Sequence, residues 1–395
     1  MDKQKFLDDY VVERRGTDCF KWDELESRYG DKDLISMWVA DMEFKTCDQV
    51  IDAMIKRTRH GVFGYSCVPG EYYQVFSDWM ERRYRFPLKK EWVRFSTGCV
   101  TGIAWMVHAF TKPGDACLIL TPVYYPFHNV VTNNGRTLVT VDLEYDNGHF
   151  SMDYKAIEKA IVENNVKMFI QCSPHNPAGR VWSEEELEQV LEICKRHQVL
   201  VVSDEIHQDI TLKDHAFTPA AVAKEGAYRD MVITLSSASK TFNLAGLPHS
   251  HIIITNESLM AVYDKFASAL NRTEINVLGV VATMAAYAHG DEWLDHVLEV
   301  IEDNYSYLKH TLNDKAPDIT VCDLEGTYLV LLDLRKCVDQ NGVKEFIQDK
   351  CRLAVDYGEW FGKNFNGFVR LNLATDPAYV RQAVDNIVNQ LSNCN

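Results

Sequence analysis

The chain has 395 residues, a formal net charge of −16, 46% hydrophobic and 25% charged residues. This exceeds what one hydrophobic core usually supports, so two domains of an ordinary globular protein are expected. The acidity, without a local basic patch, argues against nucleic-acid binding; the eleven cysteines, odd in number and without CxxC pairs, form neither a disulfide framework nor a zinc-ligand spacing.

Met1 to Tyr10 alternates charged and apolar residues and has no signal-peptide apolar core. Buried reduced thiols in a cytoplasmic protein are therefore expected. The run Ser96-Thr97-Gly98-Cys99-Val100-Thr101-Gly102 leads into the apolar helical stretch Ile103–Phe110. Small residues opening a helix leave free amides at its positive end, a ready phosphate site, although glycine before a helix is common. Four short apolar runs follow, each ending at a polar or turn residue: Cys117–Leu120, Met168–Cys172, Val199–Ser203 and Met231–Leu235. Such runs suit buried parallel strands. Between the second and third, Ser183 and Glu186 have capping-box spacing, and Leu187, Val190, Leu191 and Cys194 form one apolar stripe. Glu184, Glu185, Glu188 and Glu192 take the solvated face.

Val277–Ala288 is apolar but too short to span a bilayer, and reads as a buried helix. From about Leu294 onward, helical patterns alternate with strand candidates Thr327–Leu332 and Phe368–Leu373. The expected fold is α/β: a large domain with a mainly parallel sheet at 45–290, and a smaller α+β domain from 1–44 and 291–395.

Ligands in open parallel sheets bind beyond the carboxyl ends of the strands. The residues there are Tyr124 and Tyr125, His175 and Asn176, Asp204 and His207, and Ser237, Ser239 and Lys240. Each has an ordinary reading: Tyr124 as core, Asn176 as a turn before Pro177, Asp204 as a cap, His207 as a core histidine, the serines as loop, Lys240 as a surface lysine. Together they match one chemistry. A pyridoxal-phosphate enzyme needs a Schiff-base lysine, a carboxylate against the pyridine nitrogen, a stacking ring and a phosphate cup. Lys240, poorly hydrated after an apolar run, is the lysine; Asp204 is the carboxylate. Asn176 can donate to the ring oxygen and Tyr124 can stack. Ser237, Ser239 and the Gly98-Cys99-Val100 amides can hold the phosphate. No metal ligands are expected. Gly-x-Gly-x-x-Gly is absent, which disfavours a nicotinamide site.

With these residues the chain resembles the fold-type I pyridoxal-phosphate enzymes (aspartate aminotransferase-like), close to the bacterial β C–S lyases of cystathionine β-lyase and cystalysin type within the class I/II aminotransferase-like group. The resemblance covers nearly the whole chain. It rests on Met37-Trp38-Val39-Ala40-Asp41-Met42-Glu43-Phe44, Phe63-Gly64-Tyr65, Thr121 to Phe127, Cys172 to Pro177, Ser203-Asp204-Glu205-Ile206-His207, Ser239-Lys240-Thr241-Phe242-Asn243 and Phe368-Val369-Arg370-Leu371-Asn372. It implies that Arg370 grips the substrate α-carboxylate, that Ala40 makes a backbone contact beside it, and that Tyr65 reaches the cofactor phosphate of a second subunit. A homodimer with a shared active site would follow. His207 stands where aminotransferases of the group carry tyrosine, as in the C–S lyases.

The chain departs from that pattern at Phe365, at Leu247-Pro248-His249-Ser250, where relatives usually have smaller or sulfur-containing residues, and at Cys99 for a common valine. No phosphate-binding arginine follows Lys240. The implied activity is α,β-elimination from cystathionine or another cysteine-type amino acid, with Lys240 as base and Tyr124 or Tyr125 assisting at the leaving group. An aminotransferase is the alternative. A regulatory binding protein retaining the fold is a further one. The implied partner is a small-molecule amino acid, with no nucleic acid and no membrane.

Overall fold

The computed structural model describes residues 2–271 and 275–392. Met1, residues 272–274 and residues 393–395, among them Cys394 and both ends of the expected small domain, lie outside the described residues.

The apolar runs build a seven-stranded sheet: β1 (Val93–Ser96), β2 (Ala116–Thr121), β3 (Thr137–Asp142), β4 (Met168–Cys172), β5 (Leu200–Asp204), β6 (Val232–Ser236) and β7 (Ser250–Ile254). Their spatial order is β1-β7-β6-β5-β4-β2-β3. Only β7 is antiparallel to its neighbours. Every residue of β2, β4 and β6 is buried, because helices cover both faces. The four anticipated strands therefore stand, two of them displaced by one residue. β1, β3 and β7 were not anticipated. β3 is an edge strand with one buried side, and β7 follows Pro248 closely.

The helix Cys99–Phe110 starts earlier than its apolar stretch, with Gly98 as N-cap. The capping box before Glu184–Arg196 is complete: Glu186 N donates to Ser183 Oγ (3.2 Å) and Ser183 N to Glu186 Oε2 (2.9 Å). Val277–His289 is a largely buried helix. Among the described residues no helix is long and apolar enough to cross a membrane.

A second sheet holds β8 (Thr320–Val321), β9 (Leu329–Asp333), β10 (Asp356–Tyr357) and β11 (Phe368–Asn372) in the order β8-β9-β11-β10, all antiparallel. Its register sets Asp356 opposite Arg370. Ile35–Ser36 pairs in parallel with Leu353–Ala354.

The two sheets meet at residues 325–327. Glu325 N and Gly326 N donate to Gly179 O (2.8 and 3.1 Å), Thr327 N to Ile210 O (2.8 Å), and Leu212 N to Glu325 O (2.8 Å). Buried Arg180 grips Glu325 and Glu186 at 2.8 and 2.9 Å. A Cβ on Gly326 would lie 2.6 Å from Val181 Cγ2 and 2.9 Å from Ile210 O, so this crossing admits no side chain.

Candidate active site

β6 ends at Ser236, and the chain turns into a single helical turn, Ala238–Thr241, capped by Ser237. Ser237 Oγ accepts from Ser239 N (3.1 Å) and donates to His249 O (2.7 Å). The turn carries Lys240, whose Nζ donates to Ala40 O at 2.7 Å. Burial holds the Lys240 pKa below the ordinary lysine value; the Arg370 charge acts in the same direction, against Asp41, Cys99 and Asp204. From behind, Thr241 Oγ1 donates to the fully buried Asp209 (2.7 Å), which also accepts from Trp79 Nε1 (3.0 Å) and Tyr84 OH.

Asp204 ends the neighbouring strand β5 and accepts from Ile206 N (3.2 Å). Burial pushes its carboxyl up to about 7. His207 is buried, its ring against Tyr328 at 5.8 Å, and its Nδ1 has no partner among the described residues. Burial, with Lys240 and Arg370 nearby, keeps His207 neutral. Burial likewise pushes the Tyr124 hydroxyl up to about 12.

These groups surround one cavity of about 190 Å3. Its walls include Ala40, Gly98, Cys99, Val100, Tyr124, Asn176, Asp204, His207, Ser237, Ser239 and Lys240. Eleven residues singled out in the sequence thus converge on the carboxyl ends of β4, β5 and β6. No side chain caps the first turn of Cys99–Phe110, which leaves backbone amides at one end of the cavity. The Ser237 hydroxyl proton, expected to face a phosphate, is instead directed to His249 O.

Three expected residues do not line the cavity. Arg370 is 2% exposed and reaches the cavity wall through Asn176. Its Nη1 donates to Asn176 Oδ1 (2.8 Å), and Nη2 donates to Trp38 O (3.0 Å) and to the Asp356 carboxylate. Tyr125 stands beside Tyr124, ring centroids 5.1 Å apart. Tyr65 is fully exposed, with Val62 and Phe63 also exposed.

Sequence reasoning missed Asp356, Asp209, Tyr328 and His249 as site neighbours. Tyr328 OH donates to Ala40 O (2.9 Å), the carbonyl that also receives Lys240. His249 lines the cavity beside Leu247 and Pro248, the stretch that departs from the pattern of relatives. That departure was its only sequence signal.

The chain belongs to the aminotransferase class I and II family, whose profile matches residues 32–387. Within that breadth the similar proteins include some named as lyases and some named as aminotransferases. Cystathionine beta-lyase PatB of Bacillus subtilis (strain 168) is 35% identical over 384 residues, 96% of this chain and 98% of PatB. Cystalysin from Treponema denticola, solved with a pyridoxal 5'-phosphate cofactor, superposes with a TM-score of 0.93 at 31% identity, covering 98% of each chain. The pyridoxal-phosphate-bound C–S lyase from Staphylococcus hominis gives 0.90 at 34% identity, covering 97% of each.

Proposed function

We propose that the protein is a pyridoxal-phosphate-dependent carbon–sulfur β-lyase, which eliminates thiol from a cystathionine- or cysteine-type amino acid and releases pyruvate and ammonia. The carrying observation is a buried lysine amine, Lys240, in one cavity with the strand-end carboxylate Asp204. The residues fit the cofactor on independent counts. Lys240 offers a buried amine, its pKa held below the ordinary lysine value, for the aldehyde carbon. Asp204 offers a carboxylate for the ring nitrogen. His207 Nδ1 is a buried polar atom lacking a partner among the described residues, and the uncapped amides at Cys99–Val100 suit a phosphate. Bound there, the cofactor supplies an electron sink conjugated to the substrate α-carbon.

The chain's own residues do the rest. Arg370, oriented by Asn176 and Asp356, receives the substrate α-carboxylate. Lys240 Nζ removes the α-proton. Asp204 holds the proton on the ring nitrogen. Tyr124, kept protonated by burial, hands its proton to the sulfur leaving the β-carbon, with Tyr125 beside it.

A homodimer sharing its active sites is part of this reading. The exposed apolar cluster Val62, Phe63 and Tyr65 supports it, since Tyr65 touches nothing in its own cavity. The division into 45–290 and 1–44 with 291–395 is supported by the pairing of Ile35–Ser36 with Leu353–Ala354. A reducing, cytoplasmic setting is supported by the buried thiols Cys19, Cys47, Cys99, Cys117, Cys172, Cys194 and Cys322.

The test is spectroscopic and chemical. Purified protein should absorb in the visible, borohydride should fix the label on the peptide carrying Lys240, and cystathionine should yield pyruvate. Lys240→Ala should abolish the pyruvate. A label on another lysine would overturn the assignment. Conversion of the cofactor to its amine form by an amino acid, sustained by a 2-oxo acid without pyruvate release, would make the protein an aminotransferase.

A further inference from the structure

At the serine and amide end of the cavity, the donors are neutral: the hydroxyls of Thr97, Thr101, Ser237 and Ser239 and the first amides of Cys99–Phe110. Ser237 spends its proton on His249 O. The basic side chains in the walls are Lys240, His207 and His249, and no arginine is among them. Lys240 is assigned to the aldehyde carbon, and the His207 ring lies against Tyr328. His249 remains, beside the serine pair.

His249 is not an isolated ring. Its Nε2 lies 2.7 Å from Tyr72 OH, and the same hydroxyl lies 2.5 Å from His251 Nε2. His251 Nδ1 lies 3.4 Å from Ser236 Oγ. All four residues are buried. Phe95 stacks on His249 and Phe76 on His251, which fixes both rings. Burial holds His249 down at about 4 and His251 well below the ordinary histidine value, so both are neutral imidazoles near pH 7.

A neutral imidazole has one donor and one acceptor nitrogen, and a tyrosine hydroxyl has one proton. Tyr72 therefore donates to one histidine and accepts from the other. Two polarities are self-consistent. In one, Ser236 Oγ donates to His251 Nδ1, His251 Nε2–H donates to Tyr72, Tyr72 donates to His249 Nε2, and His249 Nδ1 carries a proton. In the other every bond is reversed, and His249 Nδ1 is a bare acceptor. An anion in the cavity favours the first and opposes the second.

We propose that His249 is a cofactor-phosphate ligand through Nδ1–H, and that Tyr72 and His251 are positioning residues that set its tautomer. This rests on the pyridoxal-phosphate reading above. The relay gives the site a neutral donor where an arginine would have added a positive charge.

The test measures the affinity of cofactor-stripped enzyme for pyridoxal phosphate, the 31P resonance of the bound phosphate, and the histidine tautomers by 15N spectroscopy. Expected results are a His249 Nδ1–H tautomer in the loaded enzyme, and a loss of about tenfold or more in affinity for His249→Ala, as for a hydrogen bond to a charged group. His249→Asn, whose amide nitrogen can occupy the Nδ1 position, should recover most of the affinity. Tyr72→Phe keeps the packing, and should shift the 31P resonance and weaken binding less than His249→Ala. Unchanged affinity and resonance in a folded His249→Ala, or an Nε2–H tautomer of His249 in the loaded enzyme, would overturn the relay alone. Failure of the unaltered protein to take up pyridoxal phosphate would overturn the relay and the functional reading together.

Discussion

Arg370, which we propose receives the substrate carboxylate, is already paired with an anion. The Asp356 carboxylate faces it across the β10–β11 pair and is itself buried, its pKa raised by that burial against the pull of Arg370. The partner fixes the guanidinium plane, and it also opposes the approach of another carboxylate. Asp356→Asn keeps the shape and an acceptor but removes the opposing charge. KM for the amino acid should fall by about tenfold, the effect of one nearby unit charge at a protein-like dielectric, while kcat changes less. Steady-state kinetics with an amino acid and its carboxamide separate the two cases, since the carboxamide should show no gain. The sequence alone did not disclose the partner of Arg370, because Asp356 comes from the opposite strand.

Among the elements, those with strong local signals were legible. The capping box, the four apolar strands and the helix at 277 are each written in a few consecutive residues. β7 was not, because an antiparallel strand inserted between β1 and β6 is a matter of topology rather than pattern. Convergence of the strand ends on one cavity was legible from the rule that parallel sheets bind ligands there. The support behind the site was not, because it comes from distant elements: Asp209 collects Trp79, Tyr84 and Thr241 from separate segments, and Asn243 binds Met42 and Phe44. Asp209→Ala would leave three donors unsatisfied beneath the lysine turn. Unfolding free energy should drop by at least about 3 kcal/mol, at roughly 1 kcal/mol or more per orphaned donor, measured by denaturant titration.

For the molecule as a whole, the proposal of shared active sites makes a specific prediction. Tyr65→Ala and Lys240→Ala should each be nearly inactive alone. Mixed and allowed to exchange subunits, they should recover about a quarter of full activity, because half the dimers are mixed and each mixed dimer has one intact site. No recovery after exchange would mean that each subunit works alone. Stability should also depend on pH. The native carboxyls of Asp204 and Glu205 titrate at about 7 and about 8, above their unfolded values. The folded chain keeps protons that the unfolded chain releases, so this contribution is full at low pH and is lost as pH rises toward 7 and 8. The melting temperature of cofactor-free protein should fall over that interval, and Asp204→Asn should flatten the fall while abolishing catalysis. Finally, Gly326 acts as a spacer gauge. The proposed base and the proposed carboxylate grip follow from two sheets that cross at a bare peptide at 326, so an added methyl there would have to push one sheet away from the other.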